Sequence, residues 1–311
     1  MADGSKIEWT DATWNVVIGC DKVSPGCDHC YAIRTAHRMQ ANPNPVISAA
    51  YAGTEAHGDW TGRVNLVADR LDLPLRWRRP RRIFVNAQSD LFHDQVPDEF
   101  IARVWAVMAL TPQHTFQILT KRHGRMRSLL NSRDFERMVY LKAHVMDAAI
   151  DHRYDQLVQA FRARGRAWPL PNVWLGVSVE DQKRADLRIP ALLDTPAAVR
   201  WLSCEPLLGP VDVINGLGDG WLTGIDWIVA GGESGPGSRP MHPDWARSLR
   251  DQCQVAGVPF LFKQWGSHRP SAAGSIVRGG VRFPMVPASK RAAGRVLDGR
   301  TWDEYPAAAD G

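Results

Sequence analysis

Three of the chain's five cysteines, Cys20, Cys27 and Cys30, fall within eleven residues. Six residues separate the first two and two separate the last two. Pro25 and Gly26 bend the run between them, so its two halves can face one site. Thiolates are ligands for soft metals, and clustered cysteines in a reducing compartment more often bind metal or do chemistry than form a disulfide framework. Three thiolates in one short loop can close around a cuboidal iron–sulfur cluster. A fully closed 4Fe–4S cluster takes four. Three leave one iron open to a ligand bearing an amine and a carboxylate, such as the methionine end of S-adenosylmethionine. Electron transfer into the sulfonium would then yield a 5′-deoxyadenosyl radical, with the protein supplying orientation and exclusion of water. Zn held by the three cysteines with His29 or a distant residue is the alternative. Buried free thiols are a third reading. Cys204 is read as a fourth ligand, a radical-quenching thiol or simply a small buried residue, and Cys253 as core.

Something must hold that loop, and the rest of the chain supplies a repeating frame. Short apolar, β-branched runs recur: Val16-Val17-Ile18, Arg82 to Asn86, Thr115 to Leu119, Val173 to Val177, Val199 to Leu202, Asp226 to Ala230 and Pro259 to Phe262. Continuous apolar runs suit parallel strands covered on both faces. Helical stretches lie between them. Pro97 to Leu110 has acidic residues in its first turn and apolar spacing behind them, and Asp244 to Ala256 ends before Gly257. Residues 131–166 read as a charged helical insertion. The alternation predicts an α/β protein built on a (β/α) barrel, partial or complete, with a doubly wound open sheet as the alternative. The barrel is expected over residues 1–266. Residues 267–311, rich in Gly, Ala, Ser and Arg, are read as an extension packed on the barrel or partly loose.

Each run ends in polar residues: Gln88-Ser89-Asp90, Thr120-Lys121-Arg122, Ser178 to Asp181, Ser203-Cys204-Glu205, Gly231 to Ser234 and Lys263-Gln264. In a barrel these ends converge on one mouth, where active sites form. Helix caps are the plainer reading of any one of them. The basic stretch from Arg76 to Arg82 precedes a strand and so falls at the opposite face, where it ends a helix.

A net charge of +5 and a pI near 9.1 permit a nucleic-acid or phosphorylated partner without requiring one. No apolar run approaches ~20 residues, which predicts no membrane span. The first residues lack the apolar stretch of a secretory signal, so a cytoplasmic location is expected.

The segments WTDATWNVVIGCDKVSPGCDHCYA, VNAQSDLFH, PQHTFQILTKR, NVWLGVSVEDQ, SCEPLLGP, DWIVAGGESGPGSRPMHPDWARSLRDQC, PFLFKQWG and GRVLDGRTWDEYP together resemble the phage Gp-thirty-seven/Gp-sixty-eight family, an uncharacterised family also called a domain of unknown function. The likeness runs from about Trp9 to Pro306. That family is similar to radical S-adenosylmethionine enzymes in its three cysteines and its barrel. The chain departs from the common radical-enzyme spacing of three residues and then two. His29 stands where an aromatic residue often precedes the last cysteine, and Tyr31 follows it.

The resemblance implies a radical-type barrel with a 4Fe–4S cluster on Cys20, Cys27 and Cys30, S-adenosylmethionine and an external electron donor. It supplies no substrate. The family's occurrence in phages makes a nucleic acid or modified nucleotide the first candidate. Gly231-Gly232-Glu233 is similar to a tripeptide that binds the methionine amine in radical enzymes, although it lies on a late strand. Ser89 and Asp90 follow the strand where that function usually lies. Ser178 and Glu180 suit ribose hydroxyls, and Lys121 and Arg122 suit a carboxylate or phosphate. Glu205 and Lys263 are expected in the same mouth, each with an ion pair fixing the rim as its other reading. A non-enzymatic iron–sulfur or zinc protein that binds nucleic acid is the competing function.

Overall fold

The β-branched runs assemble into one parallel sheet in the computed structural model, which describes residues 4–5, 7–149, 168–214 and 220–307. Its strands are β1 (Ala12–Trp14), β2 (Arg82–Val85), β3 (Thr115–Thr120), β4 (Val173–Ser178), β5 (Val199–Cys204), β6 (Trp227–Gly231) and β7 (Phe260–Gln264). They pair in chain order, every pair parallel. Sequential parallel pairing with helical crossovers keeps the sheet curling one way. The result is a seven-stranded half-barrel, a partial (β/α) barrel and not a doubly wound sheet with a reversal of strand order.

The helices that matter to the site are α1 (Tyr31–Gln40), α2 (Pro45–Tyr51), α3 (Asp98–Ala109), α4 (His123–Leu130), α5 (Arg133–Ala149), α6 (Gln182–Leu193) and α7 (Pro243–Ala256). Asp98 and Glu99 in the first turn of α3 complement its positive end. Its apolar residues run nearly all round, because it is packed between the sheet and α5. The helix α7 stops at Gly257, whose φ of +69° is the left-handed conformation that glycine adopts at little cost. The helical insertion is formed over Arg133–Ala149; residues 150–166 lie outside the described residues.

The expected first strand is displaced. Ala12–Trp14 pairs with β2, whereas Val17–Ile18 pairs antiparallel with Asn65–Leu66 outside the main sheet. Trp14 and Ala12 alternate with Thr13 across the sheet, a period that three apolar residues in a row at Val16 to Ile18 obscure. The chain therefore leaves the barrel sooner than expected, and the cysteine loop is longer.

The two faces of the sheet differ. Outward residues join the helices in a large apolar core. Inward residues near the N-terminal ends form a separate aromatic floor. Trp9 lies 4.7 Å from Phe84 and 5.2 Å from Trp201, and Trp227 lies 5.4 Å from Trp201. Gly176, in the middle of β4, makes room for it. A Cβ there would stand 2.5 Å from the Trp201 ring, which has no solvent exposure and no open side to move into. Gly176→Ala is expected to destabilise the protein by about 1–3 kcal/mol, the usual cost of overpacking, read as a lower urea midpoint with unchanged slope.

The C-terminal residues cover the open side of the half-barrel. Leu261 on the free edge of β7 bridges antiparallel to Asp303, and Phe262 N–H donates to the Trp302 carbonyl. Tyr305 then stacks on Trp227 at 5.3 Å and donates to the Glu8 carbonyl, ahead of β1. An exposed sheet edge is thereby blocked. Arg82, from the basic stretch, lies 4.4 Å over the Tyr305 ring at this N-terminal end.

Candidate functional site

Above the aromatic floor, at the C-terminal ends of the strands, lies a cavity of about 330 Å3. All seven strands lead into its wall. The loop after β1 brings Cys20, Cys27 and Cys30, and the other strand ends bring Ser89, Asp90, Lys121, Ser178, Ser203, Glu205, Gly232, Glu233, Lys263 and Gln264.

The cysteine loop is built residue by residue. Gly19 turns it with a φ of +96°, and a Cβ on Gly19 would meet the Arg63 carbonyl at 2.1 Å. Ser89 pairs with Gly19 and its hydroxyl donates to the Val17 carbonyl at 2.7 Å. Ser24 begins a single 3-10 turn over Pro25–Cys27, closed by Cys27 N–H donating to the Ser24 carbonyl. Cys30 caps α1. The thiols are unbridged, and Cys27 stands near enough to Cys20 and Cys30 to disfavour ionisation of both. Burial first, then the carboxyl of Asp90, pushes the Cys20 thiol up to about 12, and burial raises Cys30 as well. Metal coordination reverses that penalty by removing the proton.

Among the described residues, no three His, Cys, Asp or Glu side chains are gathered as ligands of a single ion. His29 is engaged at 3.0 Å by Glu233. A cuboidal cluster bonds each thiolate through a different iron, so its ligands stand wider apart than those of one ion. Three free thiols on one cavity wall, with no fourth cysteine beside them, match the donor set of such a cluster with one iron left open. Cys204 and Cys253 are both buried in the core between sheet and helices, away from the cavity.

Several of the residues expected at the mouth are held by other protein groups. Asp90 accepts from the Thr120 hydroxyl at 2.7 Å and from the backbone N–H groups of Lys121 and Phe92, each at 3.0 Å; burial raises its pKa. It fixes the loops after β2 and β3. Glu180, fully buried below the cysteine loop, accepts from Arg188 at 2.8 Å and from the Ser24 hydroxyl at 2.5 Å, so its oxygens are taken. Gly232 leaves room for protein backbone, since a Cβ there would stand 2.2 Å from the Trp265 carbonyl, whereas a Cβ on Gly231 would make only an ordinary contact with the Glu205 carboxyl at 3.4 Å. Glu233 accepts from Arg239 through Nη2 at 2.6 Å and Nε at 3.0 Å. Burial works against its charge, yet the hydrogen bonds from Arg239 and His29 outweigh it and hold the carboxyl below its usual range. Glu205 accepts from Lys263 at 2.7 Å and Gln264 at 2.9 Å, the rim pair that was the other reading. Arg122 is paired with Asp21.

Lys121 and Ser178 remain open to a ligand. Lys121 Nζ donates to the Ser178 hydroxyl at 3.0 Å and lies 4.0 Å from Glu180, which Arg188 already neutralises. Arg188 and Arg239 were not foreseen. Arg188 falls on the apolar stripe of α6, between Ala185, Ile189 and Leu192, and a charge in such a stripe is a legible signal. Arg239 lies in a Gly- and Pro-rich loop, where spacing says nothing about direction.

A family model described as a protein of unknown function, DUF5131, matches residues 4–306. No curated protein matches the chain. Among solved structures, a mutant of spore photoproduct lyase is similar with a TM-score of 0.38 and 12% identity, over 94% of this chain and 72% of that one.

Proposed function

Since the chain belongs to the DUF5131 family of proteins of unknown function, its chemistry rests on the site, and we propose that it is an iron–sulfur enzyme of the radical S-adenosylmethionine type. The observation that carries this reading is the convergence of Cys20, Cys27 and Cys30 with the ends of all the other strands on one cavity. Cys20, Cys27 and Cys30 would hold a 4Fe–4S cluster. When bound, such a cluster with one open iron supplies electron transfer into the sulfonium of S-adenosylmethionine and so a 5′-deoxyadenosyl radical.

The chain's own residues do the rest. Lys121 offers a cation for a carboxylate or phosphate, with Ser178 beside it as a hydroxyl partner. Trp9, Phe84 and Leu119 line the cavity with apolar surface that excludes water from beneath a bound ligand. The pairs Glu205–Lys263 and Glu233–Arg239 neutralise the rim. The substrate is a nucleic acid or nucleotide on this reading, which the phage likeness of the sequence motivates. An external electron donor is required.

Anaerobic reconstitution with iron and sulfide, followed by reduction in the presence of S-adenosylmethionine, tests the proposal. Release of 5′-deoxyadenosine is the expected outcome. A protein that holds the cluster yet releases none would be an iron–sulfur staple in a binding protein, and the enzymatic reading would be wrong.

A further inference from the structure

Two anchors reach the cysteine loop from the far side of the mouth, and neither is a cysteine. The first comes from the end of β4. Glu180 has no solvent exposure; it is paired with the buried Arg188 at 2.8 Å and receives the Ser24 hydroxyl at 2.5 Å. The loop lies so close that a Cβ on Gly26 would stand 2.4 Å from the Glu180 carboxylate. Only glycine fits between Pro25 and Cys27 at that approach. The second anchor comes from beyond β6. Arg239 binds Glu233 through two nitrogens and reaches back to the loop, donating from Nη2 to the Pro25 carbonyl at 2.7 Å and from Nη1 to Asp28 at 3.0 Å. His29 meets the same Glu233 at 3.0 Å. The segment Ser24 to His29, which contains Cys27 and abuts Cys30, is thus held at both ends by carboxylate–arginine pairs whose carboxylates follow two different strands.

We propose that Glu180 and Arg239 are positioning residues, which hold the cysteine loop across the half-barrel in its ligand-presenting arrangement before any metal binds. Each contact costs the loop conformational freedom once, at folding, so metal binding need not supply that ordering. The planar fork of Arg239 suits this task, because it contacts a carboxylate, a carbonyl and a second carboxylate in fixed directions. This inference goes beyond the cluster reading, because the clamp is a property of the metal-free chain. Its effect on metal uptake rests on that reading.

Limited trypsin digestion of the full-length, metal-free protein measures the clamp directly. Lys22, within the loop, is the reporter site, followed by mass spectrometry. Cleavage of a transiently opened segment tracks its opening equilibrium, and loss of hydrogen bonds to a charged group raises cleavage by roughly tenfold or more. Ser24→Ala is expected to show that increase with the thermal midpoint little changed, and Arg239→Gln to show it together with a lower midpoint, because it leaves the buried Glu233 carboxylate without its arginine. Ser24→Ala removes one hydroxyl and leaves the Glu180–Arg188 pair intact, so it stays informative if Arg239→Gln fails to fold. Arg239→Lys keeps the charge beside Glu233 but cannot span to Pro25 and Asp28 together; a merely structural role predicts full rescue, positioning predicts little. Unchanged cleavage at Lys22 in Ser24→Ala and in any folded Arg239 variant would overturn the proposal. On reconstitution, the variants are expected to lose iron to a chelator faster than the parent chain. If the parent binds no iron, the cluster reading fails, while the digestion result still decides the clamp.

Discussion

Cys27→Ala is expected to abolish the brown chromophore at roughly 400 nm and bring bound iron from about four per chain to near none after anaerobic reconstitution. Cys20→Ala and Cys30→Ala are expected to do the same, whereas Cys204→Ala and Cys253→Ala should keep full iron content. The contrast follows from placement. The first three thiols line the cavity, and the other two are sealed in the core between sheet and helices. Cys27 is the most informative, because its turn is closed by a backbone hydrogen bond to Ser24 that alanine retains. Loss of iron would then report the missing thiolate and not a collapsed loop. Retention of full cluster content in Cys27→Ala would remove that residue from the ligand set.

The largest loss of stability is expected from Arg188→Met, about 3–5 kcal/mol in urea unfolding. The substitution suits the apolar surroundings of Arg188 in volume, so packing is not its main cost. It leaves Glu180 buried without its contacting cation, and breaking a buried pair from one side strands a charge. Lys121, 4.0 Å from Glu180, is the nearest substitute and lies in the cavity wall. The double variant Glu180→Gln with Arg188→Met should recover most of the loss, because no charge is then stranded. If the single and double variants are equally unstable, the damage comes from the methionine packing and not from the ion pair.

The strand runs were legible because a strand covered on both faces needs uninterrupted apolar sequence. Helix α7 was legible to within one residue, because Gly257 can take a positive φ without cost. The first strand was not, because three apolar residues at Val16 to Ile18 outweighed the alternation of Ala12, Thr13 and Trp14 that pairs with β2. The polar strand ends Ser89, Asp90, Lys121, Ser178, Glu205, Gly232, Glu233 and Lys263 all line the cavity, a placement that follows from their position at the strand ends. Their tasks are not legible in the sequence. A carboxylate at a strand end looks the same in sequence whether it faces a ligand or an arginine, and the nearest arginine can be six residues away or on another element.

The sequence by itself determined the parallel α/β alternation, the mouth to which the strand ends lead and the local run of three thiols, because each depends on period, run length or near neighbours along the chain. Tertiary structure alone decided that Glu180 and Glu233 grip the cysteine loop, that Gly26 and Gly232 make room for protein, and that Lys121 is left open. Those outcomes depend on which groups meet across 156 or 214 residues of chain, as Ser24 meets Glu180 and Pro25 meets Arg239. In a low-dielectric interior a charge is satisfied by whatever stands beside it, and sequence spacing does not encode that neighbour.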